Sequence, residues 1–542
     1  MMEKSPMKQA VSGYACVLLL VLTLRLHAQV VPFESSNLPV ISIDTRGLTI
    51  GDEPKIPAFM RVFDAPSGRN ALADVHPAYE GNIGIELRGN GSQNDPKKQY
   101  GIELRTVADG DTDASLLGMP AEEDWVLSAS YTDKTLLRSM LGMSLASSMG
   151  QYASRTRHFE LVVNGSYQGI YILMEKVKRG PDRVPIAKLE PSDSAGMALT
   201  GGYIFKMDPG EGLTLEGWAA SFDSTGYFSY LYHYPANDKI TALQRAYIVT
   251  WFERFERAMS GRNYADPVNG YRRMVNVSTF IDHMLLQELS RNGDGYAWST
   301  YFFKDRDDRD GRLSMGPAWD LLSAFGNCNY GDGGQTAGWR IHSERRPFWW
   351  YRMLADTLYL RDLRQRWLDL RAGPFDERVL FARIDSAAAL LGEAQQRNFA
   401  KWNILGRWVP PNTYVGMRYA DEVDFLKAWL GKRLQWMDAN IDSLSAQPEI
   451  PAAPKHYDIR QMYPNPGNTT VRVRLATPAY ADAELALFDM RGCERMRRSM
   501  RLLPAGVQDL TLDVRGLASG SYVLRLLVAG APMDSQLLQV LR

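Results

Sequence analysis

Asp294 and Asp320 flank the segment Gly295-Tyr-Ala-Trp-Ser-Thr-Tyr-Phe-Phe-Lys-Asp305. The first closes Arg291-Asn-Gly-Asp294; the second lies inside Gly316-Pro-Ala-Trp-Asp-Leu-Leu-Ser-Ala-Phe-Gly-Asn327. Each falls where a regular element meets a turn, and an acid held there by a rigid scaffold can act as a general base or a metal ligand. Read alone, Asp294 is the cap of a turn and Asp320 an acceptor of backbone N–H groups in its loop; the pair gains weight only from what surrounds it. A second candidate lies upstream, in Leu87-Arg-Gly-Asn-Gly-Ser92 followed by Pro96-Lys-Lys-Gln-Tyr100. Its glycines permit close approach of a ligand, and Lys97 or Lys98 could reach a phosphate. No helix follows these lysines, which excludes a Walker A arrangement, and the local pattern alone reads as a plain hairpin. The turn Asp305-Arg-Asp-Asp-Arg-Asp-Gly311 is acidic but lacks the alternating ligand spacing of an EF-hand loop, so it reads as a solvated turn.

The elements that position these residues divide into two lobes. The first is β-rich: Val40–Asp44, Ala58–Phe63, a strand from Ile83 and Gly101–Arg105 alternate like strands. Asn164-Gly165 is a strong turn signal joining Phe159–Val163 to Gly169–Glu175, and Gly202–Met207 reads as a further strand. A helix is expected over Thr135–Met149, with Asp133 as its cap and Leu137, Leu141 and Leu145 on its buried face. Arg138, one turn in, could pair with a core carboxylate or bind a phosphate. The second lobe is helical, over Thr241–Met259, Ser278–Ser290 and three stretches near 347–371, 376–400 and 421–445. His283, beside the apolar stripe of the second helix, reads as structural. The hairpin Thr300–Phe303 and Leu313–Pro317 sets Asp294 ahead of it and Asp320 behind it.

Residues 1–28 read as a signal peptide, with Lys4 and Lys8 ahead of the apolar Ala15–Leu24 and a small-residue cleavage site at Ala28. No later apolar run is long enough to span a membrane. Cleavage leaves Cys328 and Cys493 in different expected domains, with neither a disulfide framework nor a cysteine zinc site. The 62 basic residues balance 62 acidic ones, so no basic field exists of the kind that drives nucleic-acid binding. The 13 Trp suit a large core or a carbohydrate-facing surface. Residues 29–450 are more than one simple core usually carries, hence the expectation of two lobes. A Pro/Ala linker at 451–460 precedes short alternating runs at 471–475, 483–488, 510–514 and 522–527, and a final strand at 536–541, the pattern of a small β-sandwich.

Two resemblances follow. Tyr463-Pro-Asn-Pro466, Leu487-Phe-Asp-Met-Arg-Gly492 and Leu517-Ala-Ser-Gly-Ser-Tyr-Val-Leu524 resemble the type A sorting domain of proteins exported by the type IX secretion system. This implies that residues 461–542 engage that machinery, that the protein is secreted or displayed on the surface of a Bacteroidetes-like cell, and that the domain is removed afterwards. The alternative is an accessory sandwich that binds sugar or protein. Residues from about 40 to 340 resemble the CotH (spore-coat protein H) kinase-like family. The matching segments are the Gly and Lys loop above, Asp124-Trp-Val-Leu127, Leu137-Arg138, Val163-Asn-Gly-Ser-Tyr-Gln-Gly-Ile-Tyr-Ile-Leu-Met-Glu175, Asn292-Gly-Asp294, Trp319-Asp320 and Phe325-Gly-Asn327.

The CotH resemblance implies an α+β, atypical protein-kinase-like fold of two lobes and an ATP-dependent phosphorylation of protein Ser or Thr with Mg²⁺ or Mn²⁺. Carried onto this sequence, Asp294 is the catalytic acid and Asp320, with Asn292, holds the metal. Arg88, Lys98 and Arg138 are candidates for nucleotide phosphate, with Glu175 as the ion-pair partner of the lysine. The sequence departs from the family where Leu322 replaces the second acid of a Trp-Asp-x-Asp pattern and where Ser299 replaces a polar metal ligand, often Asn. Losing a carboxylate weakens the hold on a hard cation. The other readings are a degenerate kinase fold serving as a surface binding or adhesion module, and a carbohydrate-active hydrolase using Asp294 and Asp320 as paired acids.

Overall fold

Alternation of apolar side chains closes the first part of the chain into a barrel. The computed structural model describes residues 31–445 and 456–541, apart from 66–67, 90, 210–216, 221–227, 343–345, 479–480 and 504–505. The expected signal peptide and half of the expected linker lie outside these residues. Seven strands run in spatial order Val40–Asp44, Ile56–Phe63, Tyr79–Leu87, Tyr100–Arg105, Asp124–Ser128, Ser166–Glu175 and Thr156–Val163. The first and last of these pair in parallel, Val40 opposite Glu160, and close the cylinder. Ile41, Ile83, Ile102, Leu127, Phe159 and Leu173 fill its core. Asn164 and Gly165 form the expected two-residue turn, both left-handed at φ 50° and 73°, which matches the twist of the strands they join.

A second, antiparallel sheet holds Gly217–Ala219, Phe228–Tyr234, Tyr203–Pro209, Thr300–Lys304 and Leu313–Met315 in that order. The expected hairpin around the acidic turn is therefore its far edge. Three of the turn's acids are spent locally, Asp307 on Lys304, Asp308 on Arg306 and Asp310 on Arg312, and Asp305 accepts the Ala187 N–H at 2.8 Å.

The helices follow the periodicity with local corrections. Ala242–Ser260 starts at Thr241, whose hydroxyl and Gln244 form a reciprocal capping box. Val277–Ser290 is buried along nearly its whole length, so it is the central helix of this part rather than a one-sided one. The expected 347–371 helix is two, Trp349–Leu354 and Thr357–Arg371, because Asp356 caps the second by accepting the Leu358 N–H. The 376–400 stretch is likewise Glu377–Leu390 and Gly392–Lys401. His283 is buried beside the Trp350 ring, and burial holds its imidazole pKa down to about 3, which agrees with a structural role.

The C-terminal segment is a sandwich of a three-stranded and a four-stranded sheet around Val471, Val473, Leu487, Leu524 and Leu538. It contains two strands that alternation did not suggest, Asp458–Tyr463, which begins inside the expected linker, and the Arg-rich Glu494–Leu503. Among the described residues, no helix is long and apolar enough to cross a membrane.

The helix Arg138–Ser148 meets the Asp320 loop at Gly142. A Cβ there would lie 2.4 Å from Leu321 Cδ1 and 2.8 Å from its Cβ. Replacing Gly by Ala inside an open helix stabilises by about 1 kcal/mol. Here Gly142→Ala is expected to destabilise by roughly 1–3 kcal/mol through overpacking, read as a lower denaturant midpoint. A raised midpoint would contradict the close contact.

Candidate functional site

The Val277–Ser290 helix ends on Arg291 in the left-handed conformation, φ 44°, and the reversal throws the chain into the loop that carries Asp294. Asn292 is buried beneath this loop. Its Nδ2 donates to the Asp320 carbonyl at 3.1 Å and its Oδ1 accepts the Asp294 N–H at 3.2 Å. Two backbone bonds repeat the tie: Gly293 N–H to Ser323 O at 3.1 Å and Phe325 N–H to Ser290 O at 2.7 Å. Gly293 is required because a Cβ there would stand 2.4 Å from Cys328 Sγ.

Below the loop, Arg340 donates to the carbonyls of Asn292 and Gly293 at 3.2 and 2.6 Å. Glu288, fully buried, accepts the N–H groups of Arg340 and Ile341, the Tyr296 hydroxyl and an Arg433 N–H. The acids therefore sit on loops anchored to a charged, hydrogen-bonded base.

Asp294 accepts the Tyr330 hydroxyl at 3.0 Å. Burial, and then the charge of Asp320, push its carboxyl pKa up from 3.8 to about 6; Tyr330 and Arg340 oppose the shift, and Asp208 adds to it. Asp320 is accessible to solvent, yet enough protein surrounds it for desolvation to raise its pKa as well. That combination places it on the floor of an open cleft. Arg88 and Lys206 favour its ionised form and Asp208 disfavours it. Arg88, at the end of the third barrel strand, lies over the Trp319 ring at 5.4 Å, and Trp319 packs between Met174 of the barrel wall, Met143 of the Arg138–Ser148 helix and Tyr301 of the sheet. The cleft is thus the junction of barrel and second sheet, where Asp320 feels Arg88, Asp208 and Lys206, and Asp294 feels Asp320, Arg340 and Asp208.

Backbone strain gathers in the same loops. Arg291, Tyr296, Ser299, Asp320 and Phe325 are all left-handed, at φ 44°, 71°, 50°, 54° and 50°. Each such non-glycine residue costs on the order of 1–3 kcal/mol, and strain of this kind concentrates at functional sites.

Of the residues singled out from the sequence, Asp294, Asp320, Asn292 and Arg88 come together here. Asn292 enters as the tie between the two acid loops, its amide oxygen already engaged by the Asp294 N–H. The others are committed elsewhere. Arg138 is buried and gives its guanidinium to Asp133 at 2.6 Å and to the Phe325 carbonyl at 3.4 Å, a core pair that secures the Asp320 loop rather than a phosphate contact. Glu175 does not orient Lys98: its fully buried carboxylate is held by Arg155 and Tyr152, with Arg183 nearby. Lys98 instead donates to the Gln93 carbonyl at 2.7 Å. Lys97 is buried between the Ile170 carbonyl and Asn398. Ser299 faces the site with its backbone, donating its N–H to Asp208 at 2.7 Å.

Asp208 and Lys206 were missed. The signal available was their alternation, Lys206-Met-Asp208, which puts two charges on one face of an otherwise apolar strand. Among the described residues the tightest acidic cluster is elsewhere, at Asp113, Glu122 and Glu123, where Lys178 binds both glutamates.

Barrel, second sheet and helices around a charged cleft, followed by a β-sandwich, define a mixed α/β protein with a polar site at the meeting of its parts. The chain belongs to the CotH family: residues 85–437 match the family model for CotH kinase protein. Residues 461–534 match the secretion system C-terminal sorting domain, which marks the protein for type IX export to the cell surface or beyond. None of the curated proteins matches the chain. Among solved structures, the Pseudomonas fluorescens alkylpurine DNA glycosylase AlkC, bound to DNA containing an abasic site analog, is similar over 39% of this chain and 58% of its own, at 11% identity. Its TM-score of 0.12 is too low to bear on the fold.

The raised Asp294 pKa has a measurable consequence for the metal-free protein. A carboxyl whose folded pKa lies above its unfolded value contributes stability that is full below the unfolded value and is lost as pH rises through the folded one. The window here runs from 3.8 to about 6. Asp294→Asn, which cannot ionise, is expected to gain on the wild type across that window and to hold a lead on the order of 1–3 kcal/mol at pH 7, measured by denaturant unfolding in chelator. A difference that does not grow between pH 4 and pH 7 would contradict the raised pKa.

Proposed function

We propose that the protein is an exported, kinase-like phosphotransferase that moves the γ-phosphate of ATP to a Ser or Thr hydroxyl of a protein acceptor, with Mg²⁺ or Mn²⁺. The observation that carries this reading is Asp294: a carboxyl whose pKa is raised to about 6 beside a second carboxylate, Asp320, on which Arg88 and Lys206 act, in a cleft open to solvent. A general base works best with its pKa near the operating pH. Phosphoryl transfer asks little else of a protein beyond positioning and charge. In this reading barrel and helical part are the two lobes of an atypical kinase-like fold, residues 1–28 are a signal peptide, and 29–450 form the kinase-like unit ahead of the linker.

The roles divide as follows. Asp294 takes the proton of the acceptor hydroxyl as that oxygen bonds to the γ-phosphorus, while the departing ADP keeps the electron pair of the broken P–O bond. Tyr330, hydrogen-bonded to the other side of the carboxylate, fixes its orientation. Asp320 would hold the divalent cation, since a solvent-accessible carboxylate with further negative charge nearby suits a hard, oxygen-seeking ion. Once bound, the cation neutralises charge on the phosphate oxygens. Asn292 fixes the backbone of both acids, and Arg88, stacked on Trp319, presents a guanidinium to the phosphates.

A degenerate site serving surface binding is favoured by one feature, Leu322 in place of a second acid, beside the exposed Trp298 and Tyr330 at the cleft mouth. Thermal-shift titration separates the two. Mg·ATP at about 100 times its dissociation constant should stabilise the fold by roughly 2.7 kcal/mol, and Asp320→Ala should lose the metal-dependent part of the shift. No shift at millimolar ATP with either metal would overturn the phosphotransferase reading and favour the binding module.

A further inference from the structure

The strand Tyr203–Pro209 carries charge into the cleft by simple alternation. Tyr203, Phe205 and Met207 are buried in the main helical core. Ile204 lies on the opposite face against Tyr301 and Val177, and Lys206 and Asp208 continue that face toward Trp319. Asp208 uses both its oxygens. One accepts the Ser299 N–H at 2.7 Å and so fastens the end of the Asp294 loop; the other pairs with the Lys206 ammonium. Lys206 is about one-third exposed at its side chain and is one of the two cations that act on Asp320. The other, Arg88, acts on Asp320 from the end of a barrel strand. Both cations, together with Lys176, also bear on His233, whose ring is fixed by the Val177 carbonyl at 2.7 Å and by edge contact with Tyr301.

We propose that Lys206 is the phosphate-contacting lysine of this cleft and that Asp208 is the positioning residue that holds it. The assignment rests on the phosphotransferase reading above and goes beyond it by giving the lysine role to a strand that the Gly and Lys loop had obscured. The ligand class is a nucleoside polyphosphate with its divalent cation. An ammonium is a compact point charge suited to phosphate oxygens, and the Arg88 guanidinium, on the other side of Asp320, supplies a planar donor fork. Lys98 is a poorer fit, because its ammonium donates to the Gln93 carbonyl within its own loop. The pair Lys206–Asp208 has the form expected of Lys98 and Glu175: a lysine in a cleft, oriented by an acid that does not itself need to touch the ligand. Asp208 also links the phosphate side of the site to the base side, since the carboxylate that orients Lys206 is the one that pins Ser299.

The test is calorimetric binding of Mg·ATP and of adenosine to the full exported chain and to Lys206→Met, Lys206→Arg, Asp208→Asn and Asp208→Glu. Loss of one charge-assisted contact should weaken Mg·ATP about 10–100-fold in Lys206→Met while leaving adenosine affinity unchanged. Lys206→Arg should recover most of the loss. Asp208→Asn should weaken Mg·ATP alone, and Asp208→Glu should restore it, a rescue that a merely structural role does not produce. Wild-type binding of Mg·ATP matched by Lys206→Met would overturn the assignment and leave the phosphotransferase reading standing. A wild type that binds no Mg·ATP would overturn both. A Lys206→Met protein that loses adenosine as strongly as Mg·ATP would show damage to the fold of the site, and the rescue by arginine would then fail as well, against the proposal.

Discussion

The Asn292 carboxamide spans the two loops on which the site is built, donating to the backbone of one acid and accepting from the backbone of the other. Asp294 and Asp320 repel each other, and that repulsion helps to lift the Asp294 pKa. A single amide hydrogen bond contributes only about 1 kcal/mol net, too little to hold two like charges by itself. The constraint holds because it is repeated. Gly293 to Ser323 and Phe325 to Ser290 join the same two loops, and Arg138 draws on the Phe325 carbonyl from the neighbouring helix. The like charges are thus kept together by backbone geometry that extends well past them.

That geometry is itself costly, with left-handed residues at five points of the two loops. The compensation lies underneath. Arg291, Arg340 and Arg433 donate to backbone carbonyls of the surrounding loops, and Glu288 gathers four donors on one buried carboxylate. Burial of Arg433 lowers its pKa to about 9, so the base of the site keeps its charge at neutral pH at some cost in desolvation. Small residues permit the close packing. Gly142 admits Leu321, Gly293 admits Cys328 and Tyr330, and Gly326 admits Trp429. The result is a rigid mount for Asp294, the side chain whose position matters most if it is to take a proton from an acceptor.

How far the sequence revealed this varies with how local each feature is. The Asn164-Gly165 turn, the hairpin around the acidic turn and most of the alternating strands of the sandwich follow from adjacent residues, and they were legible. So was the placement of Asp294 and Asp320 at element ends. The parallel closure of the barrel joins Val40 to Glu160 and leaves no local trace. Lys98, Glu175 and Arg138 were misleading because residue type shows that a charge is present but not which neighbour has claimed it; Gln93, Arg155 and Asp133 had. Asp208 and Lys206 were overlooked for the converse reason. They lie far along the chain from both acids, and only the pairing of Tyr203–Pro209 with Thr300–Lys304 brings them to the cleft.

The central claim is that this cleft binds a divalent cation with a nucleotide. Anomalous diffraction from crystals of the protein grown with Mn²⁺ and a non-hydrolysable ATP analogue tests it most directly. The account predicts a manganese peak at the Asp320 carboxylate, with the phosphates lying toward Arg88 and Lys206 and the Asp294 carboxylate facing the γ-phosphate. Manganese found only at the acidic surface cluster of Asp113, Glu122 and Glu123, with no nucleotide density in the cleft, would contradict it.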